Sequence, residues 1–207
     1  YEVNLSEADL ELLDSDPGAE AYVPATLKFN GDTYPGVGIR YKGSVGAFSR
    51  CTEGGNFPPT GPKTCLKLSM KVKMNYTDPE EKFHGLRKLQ FHSMNNDPSL
   101  MREMLGYSLF REMGIAAPRT APVRLIINGE LAGLFVLVEQ IDGRFTRARF
   151  SDGGKGNVYK EVWPMYQDRG VYLDALTTNE DEDPSVEKMM ELDRQLVAST
   201  PEEAVAV

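Results

Sequence analysis

The sequence predicts an α+β fold, an antiparallel sheet with one helix packed on it, and three observations carry that expectation. Two Asn-Gly pairs, Asn30-Gly31 and Asn128-Gly129, each divide two strand-like runs, the strongest short hairpin signal available. Leu66, Leu68, Met70 and Val72 alternate with Lys67, Ser69, Lys71 and Lys73, a period of two that marks a half-buried strand. A single long amphipathic stretch follows Asn95-Asn96-Asp97-Pro98, which reads as a helix start with Pro at its first position.

In chain order, Ser6-Glu7-Ala8-Asp9 opens a short capped helix over Leu10, Leu12 and Leu13 that stops at Asp16-Pro17-Gly18. Tyr22 to Phe29 and Thr33 to Tyr41 form the first hairpin, and Leu86 to Met94 forms a further strand. The helix after Pro98 lines up Leu100, Met101, Met104, Leu105, Leu109 and Met113 and ends at Gly114, so its apolar stripe is expected against the sheet. Val123 to Ile127 and Leu131 to Val138 are apolar almost without break and predict a deeply buried hairpin at the sheet's centre. Arg144 to Phe150 reads as a short helix, Asn157 to Trp163 as a short strand, and 184–197 as a last helix with a shallow apolar face.

A chain of 207 residues, 41% hydrophobic, suits one domain with a tail. The expected division is 1–172 as the folded lobe and 173–207 as an acidic linker and helix leading to a missing C-terminal lobe. No apolar run approaches about 18 residues, so no membrane span is expected. The formal charge of −8, from 31 acidic and 23 basic residues, disfavours nucleic acid as a partner. That charge is uneven: acids crowd 179–193 while Lys and Arg crowd 40–90, and a basic face on an acidic protein suits an anionic ligand. Cys51 and Cys65 flank a Gly/Pro-rich loop that a disulfide would close in an oxidising compartment, two buried free thiols being the alternative. His84, His92 and the two cysteines lack zinc-finger spacing.

Phosphoryl transfer needs a cation at the phosphates, an acid that orients it and carboxylates that hold metal. Lys67 on its strand and Glu103 on the following helix can point toward one seam, the strand-lysine and helix-glutamate arrangement of kinases. Spacing alone fits an exposed lysine and a surface acid better. The stretch Gly36 to Ser44 places glycines beside Arg40 and Lys42, where backbone N–H groups could approach an anion, although a glycine bulge explains it equally.

Whole phrases carry more. Gly38-Ile39-Arg40-Tyr41-Lys42-Gly43-Ser44 and Lys63-Thr64-Cys65-Leu66-Lys67-Leu68 resemble the opening strands of the CotH (spore coat protein H) kinase family. So do Asn96 to Glu103 with Phe110 to Gly114, Ala117 to Thr120 with Val123 to Leu125, and Asn128 to Asp142. The resemblance covers roughly residues 20–160. It implies an atypical protein-kinase-like N-terminal lobe and ATP-dependent phosphorylation of serine on a secreted, cell-surface or spore-coat protein, with Mg or Mn as metal. By that likeness Lys67 contacts the nucleotide phosphates and Glu103 orients it. Arg40 and Lys42 line the phosphate mouth, Glu139 and Gln140 lie along the adenine edge, and Lys160 is near the cleft.

The family's metal-binding acids follow in an Asn/Asp-containing helix and loop and then a Trp-Asp-Leu-Asp type phrase. Neither is present, and the one tryptophan, Trp163, precedes Pro164-Met165. The expectation is therefore a fragment that binds nucleotide and transfers nothing. The alternative is a non-catalytic surface, cellulosome-associated or adhesion module that keeps the fold.

Overall fold

The computed structural model describes residues 1–43, 47–48, 50–54, 58–151, 156–178 and 186–198. Ser44, the tip of the Cys51 to Cys65 loop and most of the acidic linker lie outside them. The chain forms two compact units, Tyr1–Gln140 and Ile141–Val207.

The first unit is a closed barrel of seven strands: β1 (Glu2–Asn4), β2 (Val23–Phe29), β3 (Asp32–Tyr41), β4 (Met70–Lys73), β5 (Lys88–His92), β6 (Thr120–Ile127) and β7 (Glu130–Val138). Their order is β1-β2-β3-β4-β5-β7-β6. Every pair is antiparallel except β1 with β6, which closes the barrel in parallel. The expected antiparallel sheet is thus present and closed on itself. The closing strand went unread because three residues are too few to show a period.

Both Asn-Gly hairpins form. Asn30 and Gly31 have φ of 50° and 92°, and Asn128 and Gly129 have 50° and 83°, the left-handed pair that a two-residue turn matched to strand twist demands. Alternate residues fill the interior: Leu27, Ile39, Val72, Leu89, Phe91, Leu125 and Phe135 are all buried. Tyr1 stacks on Phe29 and meets Phe91 edge to face, and Phe29 meets Phe83 edge to face.

Two expectations about burial fail. The β6–β7 hairpin is not deeply buried: on β6 only Leu125 is buried, and Leu131 and Leu134 of β7 are exposed. A closed barrel has one inner face, so half of each apolar run points outward. The helix α2 (Arg102–Glu112) buries none of its residues, and Met101, Leu105, Leu109 and Met113 are between 48% and 65% exposed. It turns a different face inward, that of Glu103, Met104, Tyr107, Ser108 and Arg111, because polar anchors described below fix its rotation.

The helix α1 (Glu7–Ser15) is capped by Ser6, whose side chain accepts from the Asp9 amide. Near its end Asp14 accepts hydrogen bonds from the Tyr41 hydroxyl at 2.6 Å and from Lys63 Nζ at 2.8 and 2.9 Å. The Lys63 amide also donates to the Asp14 carbonyl at 2.7 Å. This cluster ties the loop before β4 to the barrel, and the Cys51–Cys65 disulfide closes the same loop over a separation of 14 residues. Replacing both cysteines by serine should cost about 3 kcal/mol by the loop-entropy relation. Urea unfolding under non-reducing conditions checks it; equal midpoints would show that the Asp14 cluster alone orders the loop.

In the second unit lie α3 (Gly143–Arg149), α4 (Arg169–Ala175) and α5 (Glu187–Ala198). The predicted strand near Tyr159 is reduced to a single bridge to Leu176. The fully buried Tyr172 of α4 accepts from the Tyr166 amide and donates to the Tyr166 carbonyl. That helix was hidden in the sequence, since Arg169 to Ala175 spans only two turns.

Candidate functional site

Strand β5 lies between β4 and β7, and its alternation sets Leu89 and Phe91 inside and Lys88, Gln90 and His92 on the outer face. Immediately after it the chain turns through Ser93 to Met101 into α2. The turn is tight: Met94 and Leu100 have φ of 56° and 54°, a region costly for such side chains. Asp97 organises it, accepting from the Ser99 hydroxyl at 2.6 Å and from the amides of Ser99, Met101 and Arg102 at 3.0, 2.9 and 2.7 Å. Asp97 therefore serves the helix start, but the helix opens at Arg102 and not at Pro98, because the left-handed Leu100 interrupts it.

The Ser99 hydrogen bond first, then the backbone amides of Arg102, Ser99 and Met101, hold the Asp97 carboxyl down to about 2, against burial acting the other way. The folded state thus favours the ionised form. Its contribution to stability is complete above the unfolded value of about 4 and is lost as pH falls through about 2. Asp97→Asn should destabilise the protein at pH 6 and should flatten the fall in stability below pH 4. Urea midpoints across that range decide it; parallel curves for the two proteins would refute the role.

Past this turn, Glu103 in the first turn of α2 faces back to β5. Its Oε1 lies 2.6 Å from His92 Nδ1, and His92 Nε2 lies 2.9 Å from Lys42 Nζ. An ammonium can only donate, so Nε2 accepts, and Nδ1 carries the proton given to Glu103. The Tyr107 hydroxyl also bonds Glu103, and burial followed by that carboxylate pushes its pKa up. Lys42 is held in place because its amide donates to the Ser69 carbonyl at 2.9 Å, which extends the β3–β4 ladder by one residue. Ser69 is itself buried against Ser93, Oγ to Oγ 3.2 Å.

Of these groups Ser69, His92, Ser93 and Glu103, with Asn95 and Arg102 among others, line a cavity of about 370 Å³, within the usual range for small-ligand sites; Lys42 is tied to it through His92 Nε2. Lys42 and Glu103, two residues singled out in the sequence, are thus brought to one place, with His92 between them. His92 was missed. The available signal was its place as the last outward residue of the strand directly before the Glu103 helix.

Lys67 goes elsewhere. It precedes β4, since that strand begins at Met70, and its Nζ donates to the Leu134 carbonyl at 2.7 Å above the Phe135 ring. Burial there lowers its pKa. The expected Lys67–Glu103 seam is not formed. Arg40 lies one rung from Lys42 on the outer face, paired with Glu20 and donating to the Tyr41 carbonyl. Glu139 is chelated by the Arg119 guanidinium and amide. Gln140 has a buried Oε1 with no hydrogen-bond partner. In the second unit, the Lys160 ammonium lies 3.5 Å from Glu161 and is largely exposed. Among the described residues no three His, Cys, Asp or Glu side chains gather as a metal site.

Comparison with known proteins agrees with the phrases read in the sequence. The family described as CotH kinase protein matches residues 39–198. The inner spore coat protein H of Bacillus subtilis (strain 168) is 26% identical over 155 residues, 74% of this chain and 37% of that protein. The inner spore coat protein H-like protein of the same organism is 35% identical over 60 residues, 29% of this chain and 20% of that protein. The match therefore spans little more than a third of the first relative and a fifth of the second. Because the family match runs over most of its length, the chain belongs to the CotH kinase protein family.

Proposed function

We propose that this chain is the nucleotide-holding part of a CotH-type protein kinase, which takes ATP with Mg or Mn and phosphorylates serine on a coat or surface protein. The observation that carries the reading is the line Lys42–His92–Glu103, whose His92 and Glu103 line the cavity. A strand cation facing a helix acid is the arrangement that positions phosphates for transfer. Here the acid orients an imidazole, and the imidazole orients the ammonium. By the family resemblance Gln140, whose buried Oε1 has no hydrogen-bond partner, would lie along the adenine edge. The bound nucleotide would supply the transferred phosphoryl group; Lys42 and Arg40 would meet its negative charge. The names of the relatives favour the spore coat as the location, and the disulfide is compatible with oxidising surroundings.

One feature favours a second reading, a non-catalytic surface or adhesion module: the Lys67 ammonium is engaged by the Leu134 carbonyl. Calorimetric titration of residues 1–207 with ATP and Mg²⁺ or Mn²⁺ separates the two. Saturable heat is expected, together with labelled phosphate transfer by the full-length protein. Neither heat nor transfer would leave the module.

A further inference from the structure

The outer face of β3, β4 and β5 continues beyond the Lys42–His92 line into a field of cations. Register sets Arg40 beside Lys71, and Gly38 beside Lys73, which in turn faces Lys88. Glu20, paired with Arg40, also acts on Lys71; Lys71, Lys73 and Lys88 form no ion pair among the described residues. Arg40 Nε is buried without a hydrogen-bond partner. Two tyrosines wall the field: Tyr22 and Tyr76 lie 6.0 Å apart, with Arg40 and Lys73 over the Tyr22 ring at 5.2 and 5.9 Å. Gly38 makes room for them, since a Cβ there would meet the Tyr76 ring at 2.7 Å and the Tyr22 ring at 3.1 Å.

Like charges packed side by side cost free energy. Burial first, then Lys88, Arg40 and Lys42, pull the Lys71 ammonium down to about 8. A protein of net charge −8 has no general reason to concentrate cations on three neighbouring strands. A bound anion would relieve that repulsion.

We propose that this face, centred on Lys71, Lys73 and Lys88, binds an extended acidic polypeptide segment. Residues two apart on a strand are about 7 Å apart, so the Arg40–Lys71 and Lys73–Lys88 rungs are spaced like the alternate side chains of an extended chain. A single phosphate would use one rung only. A long nucleic acid would meet the overall negative charge of the molecule. The tyrosine wall offers apolar surface to the stems between the peptide's carboxylates.

The test uses fluorescence anisotropy of a labelled peptide of alternating Glu and Ser at low salt. The wild-type chain should bind it, and Lys73→Met with Lys88→Met should weaken binding by roughly fivefold or more, as expected for two lost surface pairs. The charge-keeping pair Lys73→Arg and Lys88→Arg should restore it. Affinity for ATP should stay unchanged in the Met variant, so this proposal and the nucleotide reading fail separately. Unchanged peptide affinity in the Met variant would overturn it, as would displacement of the peptide by inorganic phosphate at equal concentration, or tighter binding of a duplex oligonucleotide.

Discussion

Lys42→Met should lower affinity for ATP by roughly ten- to a hundredfold, since a charge-assisted hydrogen bond contributes about 1.5–3 kcal/mol and each 1.4 kcal/mol is a factor of ten. The expectation follows from the chain of contacts that holds the ammonium. Glu103 accepts from His92, His92 accepts from Lys42, and the Lys42 amide is pinned to Ser69. The ammonium is thereby preorganised beside His92, which lines the cavity, and need not be ordered when phosphate arrives. Glu103→Gln keeps the shape and removes the charge that fixes the imidazole tautomer, so it should weaken ATP by a smaller factor. Lys67→Met is the control. With its ammonium spent on the Leu134 carbonyl, it should change ATP affinity by less than about threefold, within the scatter of a surface substitution. Titration calorimetry of the three variants reads all of this. A larger loss for Lys67→Met than for Lys42→Met would return the phosphate contact to the residue favoured by family resemblance and discard the imidazole relay.

What the sequence made legible follows from which signals are local. Asn30-Gly31 and Asn128-Gly129 need φ > 0 at neighbouring positions, a property of the residues themselves, so both hairpins were readable. The period-two lysine strand was readable in kind, but its start was placed too early: Leu66 is fully exposed, and pairing begins at Met70. Periodicity cannot tell an extended tether from a paired strand. The parallel closure by β1 depends on Glu2 and Val3 meeting Ile126 and Ile127, more than a hundred residues away, and nothing local announces it. The rotation of α2 was misread for a related reason. Its sequence moment points Leu105 and Leu109 inward, but Asp97 fixes the helix start, Glu103 is held by His92 of β5 and Arg111 by the Pro118 carbonyl before β6, and those leucines are turned outward. For the site, Lys42 and Glu103 were legible as chemistry, whereas the intermediary His92 required knowing that β5 sits between β4 and β7. The geometric partner of a charge is a tertiary fact even when the charge is not.

The strand that carries His92 owes its position to the residue before it, which leads to the largest expected loss of stability. Phe91 is fully buried inside the barrel, opposite Met70 and Leu137 in the ladders and edge-on to Tyr1 at 5.3 Å. Phe91→Ala removes a ring that its neighbours cannot refill, because strands closed in a barrel cannot move together without breaking register. The cost should be about 3–5 kcal/mol, a large share of the roughly 5–15 kcal/mol that holds a typical domain folded. Gln90→Ala, one residue away on the outer face, should cost less than about 0.5 kcal/mol. Urea unfolding followed by tyrosine fluorescence and far-ultraviolet dichroism measures both. If the two substitutions cost the same, β5 is not ordered by the barrel interior, and the preorganisation claimed for His92 and Lys42 loses its foundation. If they differ as expected, the folded fraction of Phe91→Ala should still bind ATP with near wild-type affinity. The ring supports the strand and does not touch the cavity, so loss of apparent binding should follow the unfolded fraction and be recovered by cooling or by osmolyte.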